Sequence, residues 1–325
     1  MGRQRWAARG RAAIAWVAVV AVALATLPRV AGWDGVAPLP ELLALTPYIA
    51  LTAVAALGVA VVARRRAAVI VALLLVVAHA VMLAPRWTAE PGPPGGTSLR
   101  VMTANLFHGS ADPAEVVDLV RAEDPDLLVL VELTPRAMVL LDQAGLGREL
   151  PERVPRARTG GAGTAIFARH PIRLTGRADT RFESPRAALQ LGGRTLTVQA
   201  THPAPPVPRH LAPDWRRDLD AVRAAAVQVQ GPLVVAGDFN ATLDHPRFRS
   251  ILSDAELRDA HDAVGGGLVR TWPEASRVPA FVHLDHVLVS RELSVRGVRE
   301  HVLPGTDHRA VVADLALLQL LRPER

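Results

Sequence analysis

The stretch "VVAGDFNAT", Val234 to Thr242, is a short β-branched run that stops at Gly-Asp-Phe-Asn. Leu233, Val234, Val235 and Ala236 read as a strand, because a short unbroken apolar run suits a strand covered on both faces. Side chains alternate along a strand, so Asp238 and Asn240 share one side and Phe239 takes the other. Taken alone, the motif fits a strand ending in an ordinary turn better than a functional site, since Asp and Asn bond their own backbone there. The rest of the chain decides between the two.

From Leu99 onward, short strands alternate with amphipathic helices. "LRVMTANL", "LLVLVEL" and "GTAIFAR" read as strands. Residues 112–123 read as a helix with Asp112 as N-cap and Pro113 in its first turn. "AALQLGGRTLTVQATH" reads as a hairpin turned at Gly192-Gly193. A helix over residues 214–229, capped by Asp214, leads into the opening strand. "FVHLDHVLVS", "VRGVREHVLP" and "HRAVVADLAL" supply three more strands. The expected fold is α/β, with about 220 residues, enough for a packed two-sheet core.

The 325 residues contain no Cys, which excludes disulfides, thiolate nucleophiles and zinc–cysteine sites. There is no Lys either, which excludes a P-loop lysine and Schiff-base chemistry. The net charge of +6 would suit a polyanion partner, but its position does not. Residues 1–97 carry nine Arg and three acids, whereas residues 98–325 carry 28 of each. The α/β region therefore lacks the basic field that collects nucleic acid.

Residues 1–84 read as a membrane domain. Three apolar segments, 12–31, 42–63 and 67–84, each approach the span of about 20 residues that crosses a bilayer. Arg3, Arg5, Arg9 and Arg11 precede the first, and Arg64, Arg65 and Arg66 join the second to the third. The loop "WDGVAPLPE" between the first two carries no basic residue. The positive-inside rule then puts the N-terminus and the Arg triplet in the cytoplasm and everything after the third segment outside. "ALA" at 23–25 would also suit a signal-peptide cleavage site, with the same final topology. Residues 85–98 are a Pro/Gly-rich linker, and 99–325 form the exported domain.

Several apolar strands finish in a polar residue. They give Asn105, Glu132, His202, and the pair Asp238 and Asn240; Asp285 and Asp307-His308 follow near the C-terminus. A carboxylate at the end of an apolar strand is costly unless it is paired or binds a metal. The ordered set, over Leu99 to about Leu317, resembles the endonuclease/exonuclease/phosphatase family of metal-dependent phosphoesterases. That resemblance implies a two-sheet sandwich flanked by helices, the four-layer phosphoesterase fold.

It also implies roles. Phosphate oxygens repel a nucleophile, and a hard divalent cation, Mg2+ or Mn2+, neutralises them through oxygen ligands. Glu132, Asn105 and Asp307 would hold the metal. Asp238 would orient or deprotonate the attacking water, and the Asn240 amide would hold a phosphate oxygen. His202 and His308 would bond non-bridging oxygens or handle protons, with Asp285 orienting His308. Arg186 in "SPRAALQL" is a candidate phosphate grip. His108 and His245, in loops after Asn105 and Asn240, are weaker candidates to line the cleft. Nucleases of the family often carry an active-site Tyr, and this domain has none.

The layout of three membrane segments and an exported domain resembles actinobacterial membrane phosphatases of the teicoplanin-resistance type. That implies a lipid-linked substrate such as undecaprenyl pyrophosphate, a place in cell-wall synthesis, and a link to antibiotic resistance. The alternatives are a membrane-tethered nuclease, a phospholipid phosphodiesterase, or a non-catalytic module that binds a phospholipid or antibiotic.

Overall fold

The computed structural model describes residues 2–90, 92–274 and 279–319. Four helices come first: α1 (Gly2–Ala31), α2 (Leu39–Ala44), α3 (Thr46–Val62) and α4 (Arg66–Leu83). Arg9–Ala31 and Arg66–Trp87 are long and apolar enough to cross a membrane. The expected segment 42–63 is not one helix. Leu45 departs from helical geometry (ψ 7°) ahead of Pro47, which splits it into α2 and a 17-residue α3. Ala15, Ala53, Ala56, Ala60, Ala68 and Ala72 are buried where these helices meet, small side chains that let backbones approach closely.

The α/β region holds two six-stranded sheets. The first comprises β1 (Thr97–Asn105), β2 (Leu127–Val131), β3 (Glu152–Arg156), β4 (Thr164–Ala168), β11 (Leu293–Val302) and β12 (Arg309–Leu317), in the order β11-β12-β1-β2-β4-β3. The second comprises β5 (Ile172–Arg177), β6 (Pro185–Leu191), β7 (Arg194–Thr201), β8 (Leu233–Asp238), β9 (Leu257–Asp259) and β10 (Asp285–Ser290), in the order β5-β6-β7-β8-β10-β9.

Alternation explains the layers. Leu99, Val101, Leu127 and Val129 face Val198, Ala200, Val234 and Val287 between the sheets. On the outer face, Met102, Leu128 and Leu130 pack under α5 (Pro113–Glu123), α6 (Pro135–Ala144) and α7 (Leu146–Glu149). Leu233, Val235 and Leu288 pack under α8 (Ala212–Val227) and α9 (Pro246–Asp254). Strands covered on both faces must be apolar at every position, hence the unbroken runs. This is the expected four-layer sandwich. One start differs: α8 begins at Ala212 behind a 3-10 turn, so Asp214 lies in its first turn, where it pairs with Arg181 at 2.7 Å instead of capping.

The central strands run in parallel pairs, β1 with β2 and β7 with β8. Their antiparallel neighbours, β12 and β10, begin where β1 and β8 finish, and Asp285 lies directly opposite Asp238. Four strand ends and two strand starts therefore share one rim of the sandwich.

The first helices dock on the same domain. Asp244, in the loop after Asn240, takes Arg29 of α1 at 3.1 Å and Arg86 beyond α4 at 2.8 Å. Asp34 pairs with Arg247, the His245 ring meets the Pro40 carbonyl at 2.9 Å, and Tyr48 donates to the Phe281 carbonyl at 2.8 Å. The ends of α1 and α4 thus face the domain, and the Arg64–Arg66 turn lies at the far end of the helices.

Away from the rim, Asp259 and His286 form a fully buried pair at 2.7 Å. The other His286 nitrogen meets the Ala241 carbonyl at 3.0 Å, so both ring nitrogens face acceptors. Burial opposes charge on each partner, yet their mutual bond wins: it raises the imidazole and lowers the carboxyl. The stabilisation is complete between the unfolded values of about 3.9 and 6.5. It fades as pH rises through the raised His286 value, or falls through the depressed Asp259 value. His286→Ala should cost about 3 kcal/mol, because it strands Asp259. Thermal unfolding at pH 6 checks this.

Candidate active site

The rim gathers the polar strand ends. Asn105 closes β1, and its Oδ1 accepts from the Phe107 backbone N–H at 2.9 Å, which fixes the amide orientation. Its Nδ2 then donates to Glu132 Oε1 and to Asp238 Oδ2, both at 3.0 Å. One amide thereby holds a carboxylate from each sheet. Glu132, just past β2, has a left-handed backbone (φ 56°), and its Oε2 accepts from the His108 backbone N–H at 2.7 Å.

Asp238 is 2 % exposed. Its Oδ1 accepts from the Asn240 N–H at 2.7 Å, which explains the Asp-Phe-Asn spacing: the carboxylate ties off the turn that it opens. Asn240 sits at φ 48° and gives one amide hydrogen to the Pro203 carbonyl, leaving the other for a ligand. Phe239 points the opposite way into the core, edge-on to Phe248 at 5.1 Å. The opening stretch does end in the turn, and the same turn holds Asp238 and Asn240 on the rim.

His202, beyond β7, is held through Nδ1 by the Gly161 carbonyl at 3.0 Å. A carbonyl can only accept, so Nδ1 carries a proton. Its Nε2 stands 3.8 Å from Glu132 and 3.7 Å from Asp238. His308 bonds Asp285 Oδ2 through Nδ1 at 2.8 Å and turns Nε2 toward Asp238 at 3.6 Å. Burial works against its charge, but Asp285 and Asp238 prevail and push it up to about 10. In the absence of a cation these carboxylates favour the protonated ring. Asp307 accepts from the Trp272 indole at 3.0 Å.

The donor set suits a divalent cation. Asp238, Asp285 and His308 each offer an atom within 4.8 Å of the others. Asp285 Oδ1 and Asp307 Oδ1 are buried, and neither has a hydrogen-bond partner. Buried, unpartnered carboxylate oxygens are what a hard cation satisfies.

Asn105, Glu132, His202, Asp238, Asn240, Asp285, Asp307 and His308 are thus brought together. Arg186 is not. Its guanidinium bonds Gln199 at 3.1 Å and the Ala225 carbonyl of α8 at 2.7 Å, so it serves the sheet–helix packing. His245 likewise packs, its Nδ1 accepting from the Thr242 N–H at 2.8 Å. His108 does reach the rim, 3.3 Å from Glu132. Trp272 and Phe182 were not foreseen: Trp272 stands 6.4 Å from His308, and Phe182 5.2 Å from His202, between ring centroids. The only sequence signal for Trp272 was an isolated Trp-Pro in a polar loop.

The sequence from Met102 to His308 matches the Endonuclease/Exonuclease/phosphatase family. The chain belongs to that family. It is a metal-dependent phosphoester hydrolase. No curated protein matches the chain. Among solved structures, it is similar to an endonuclease/exonuclease/phosphatase from Beutenbergia cavernae, at 20% identity and a TM-score of 0.50, covering 68% of this chain and 72% of that one. It is similar to D. rerio TDP2 complexed with a single-strand DNA product, at 15% identity and 0.54, covering 67% and 98%. It is also similar to sphingomyelinase C from Streptomyces griseocarneus, at 18% and 0.50, covering 67% and 99%. At these identities the likeness is one of fold.

Proposed function

We propose that this family member is a membrane-bound phosphatase that hydrolyses a lipid-linked pyrophosphate, of the undecaprenyl pyrophosphate kind, with Mg2+ or Mn2+. One observation carries the reading. The loop that leaves the Asp238–Asn240 turn is gripped through Asp244 by Arg29 and Arg86, at the ends of the two membrane-length helices. In this reading those helices span a bilayer and the site sits at its headgroup level, where an amphiphile presents its phosphates. With the Arg64–Arg66 turn cytoplasmic, that face is the outer one.

A line of aromatic rings supports a lipid substrate. Trp272 neighbours His308, Phe281 lies 6.3 Å from Trp272, and Tyr48 of α3 lies 6.3 Å from Phe281. These rings would receive apolar chain between the helices and the rim.

In this reading Glu132, Asp238, Asp285 and Asp307 would hold the cation, which would neutralise phosphate charge. Asn105 holds Glu132 and Asp238 in register. Asp238 orients the water that attacks the terminal phosphorus and takes its proton. The phosphorus–oxygen bond to the bridging oxygen breaks, releasing inorganic phosphate and a lipid monophosphate. His202, the free Asn240 hydrogen and His308 donate to phosphate oxygens as charge builds.

The tail should matter. Full-length protein in detergent micelles should release phosphate from a polyprenyl pyrophosphate with a kcat/KM at least about tenfold above that for inorganic pyrophosphate. Equal values would remove the lipid from the reading. A reporter active only in the cytoplasm and fused after Arg325 should give no signal; a strong signal would reverse the orientation.

A further inference from the structure

A second group of ligating side chains lies outside the catalytic rim. Asp259 at the end of β9, His261 in α10 (Ala260–Ala263) and His283 just before β10 are all buried, and each offers an atom within 4.8 Å of the others. His261 is the telling member. Its side chain is 3% exposed, and its Nδ1 has no hydrogen-bond partner although it stands 3.8 Å from Asp259 Oδ1. Its other nitrogen is bound to Glu300 at 2.6 Å. His283 is arranged alike: Nε2 meets the Asp285 carbonyl at 3.0 Å, which leaves Nδ1 as the nitrogen for a ligand. A metal-bound His almost always gives its outer N–H to a carboxylate or a carbonyl, and both partners are in place here.

We propose that Asp259, His261 and His283 bind one zinc-class divalent ion, at a site separate from the catalytic centre. Two imidazoles and one carboxylate are a borderline-soft set that favours zinc over magnesium. Ligand atoms in a tetrahedral zinc site lie about 3.4 Å apart, and the three here already lie within 4.8 Å of one another. Asp259 has capacity left. Its oxygens accept from the His261 and Asp262 backbone N–H groups and from His286, three of about four available positions.

His261 and His283 line clefts that open to solvent, which give an ion a route in. A bound ion would tie β9 and α10 to the residue two before Asp285, and so stiffen the strand that presents Asp285 to the rim.

The test separates this site from the catalytic one. Full-length protein carrying Glu132→Gln and Asp238→Asn, to weaken catalytic metal binding, is stripped with chelator, loaded with Zn2+ and desalted. About one zinc per chain should remain. Adding His261→Gln and His283→Gln should remove it, with the circular dichroism unchanged. Zinc retained without both His residues, or none bound by the folded Glu132→Gln, Asp238→Asn protein, would overturn the proposal. Should the His variants fail to fold, the Co2+-loaded Glu132→Gln, Asp238→Asn protein decides. Strong visible absorption of a tetrahedral site supports it, and a weak octahedral spectrum or none overturns it.

Discussion

Asp238→Asn should lower turnover by about a hundredfold or more while the protein still folds. The carboxylate has a committed donor on each oxygen, Asn240 N–H at 2.7 Å and Asn105 Nδ2 at 3.0 Å. An Asn side chain matches its shape but must set an NH2 against one of those donors. It also removes the charge that faces His202 and His308. Glu132→Gln and His308→Ala should produce losses of similar order, and chelation should abolish hydrolysis until Mg2+ or Mn2+ is returned. A second readout does not depend on turnover. Asp238 is one of the three carboxylates that raise His308, so metal-free Asp238→Asn protein should show His308 titrating at lower pH by NMR. Near-native rates in all three variants would mean that the site is wrongly placed.

Gly237→Ala should be the most damaging single substitution on this rim. Gly237 sits at φ 146°, and a Cβ built on it would lie 1.9 Å from the Thr201 carbonyl oxygen. That oxygen belongs to β7, whose parallel register pairs Thr201 with Gly237. Neither backbone can retreat without breaking the β7–β8 ladder that aligns His202 with Asp238. The combined strain and clash should cost about 4 kcal/mol or more. A fall in Tm of about 3 °C or less, roughly 1 kcal/mol for a domain of this size, would contradict this.

The sandwich was legible because its central strands are buried on both faces, and such strands announce themselves as unbroken apolar runs. β3 and β5 escaped for the opposite reason. "ERVPR" and "IRLTGR" are edge strands with mostly exposed or half-exposed side chains, so they carry no apolar run to read. The strand-end residues could be picked out since each polar group interrupts a greasy run, where burial makes it expensive. Arg186 misled for a similar reason. It too follows a turn and opens an apolar strand, yet its partner is a helix carbonyl 39 residues away in sequence. The grip of Asp244 on Arg29 and Arg86 was invisible, because no local pattern links residues 215 and 158 positions apart.

The central claim is that this rim hydrolyses a lipid pyrophosphate at a membrane face. The most direct measurement gives full-length protein in detergent three substrates side by side, with Mg2+ and with chelator: a polyprenyl pyrophosphate, supercoiled plasmid and sphingomyelin. The account predicts metal-dependent release of inorganic phosphate from the first, far faster than plasmid nicking or sphingomyelin cleavage. Efficient nicking or sphingomyelin cleavage beside negligible phosphate release would contradict it.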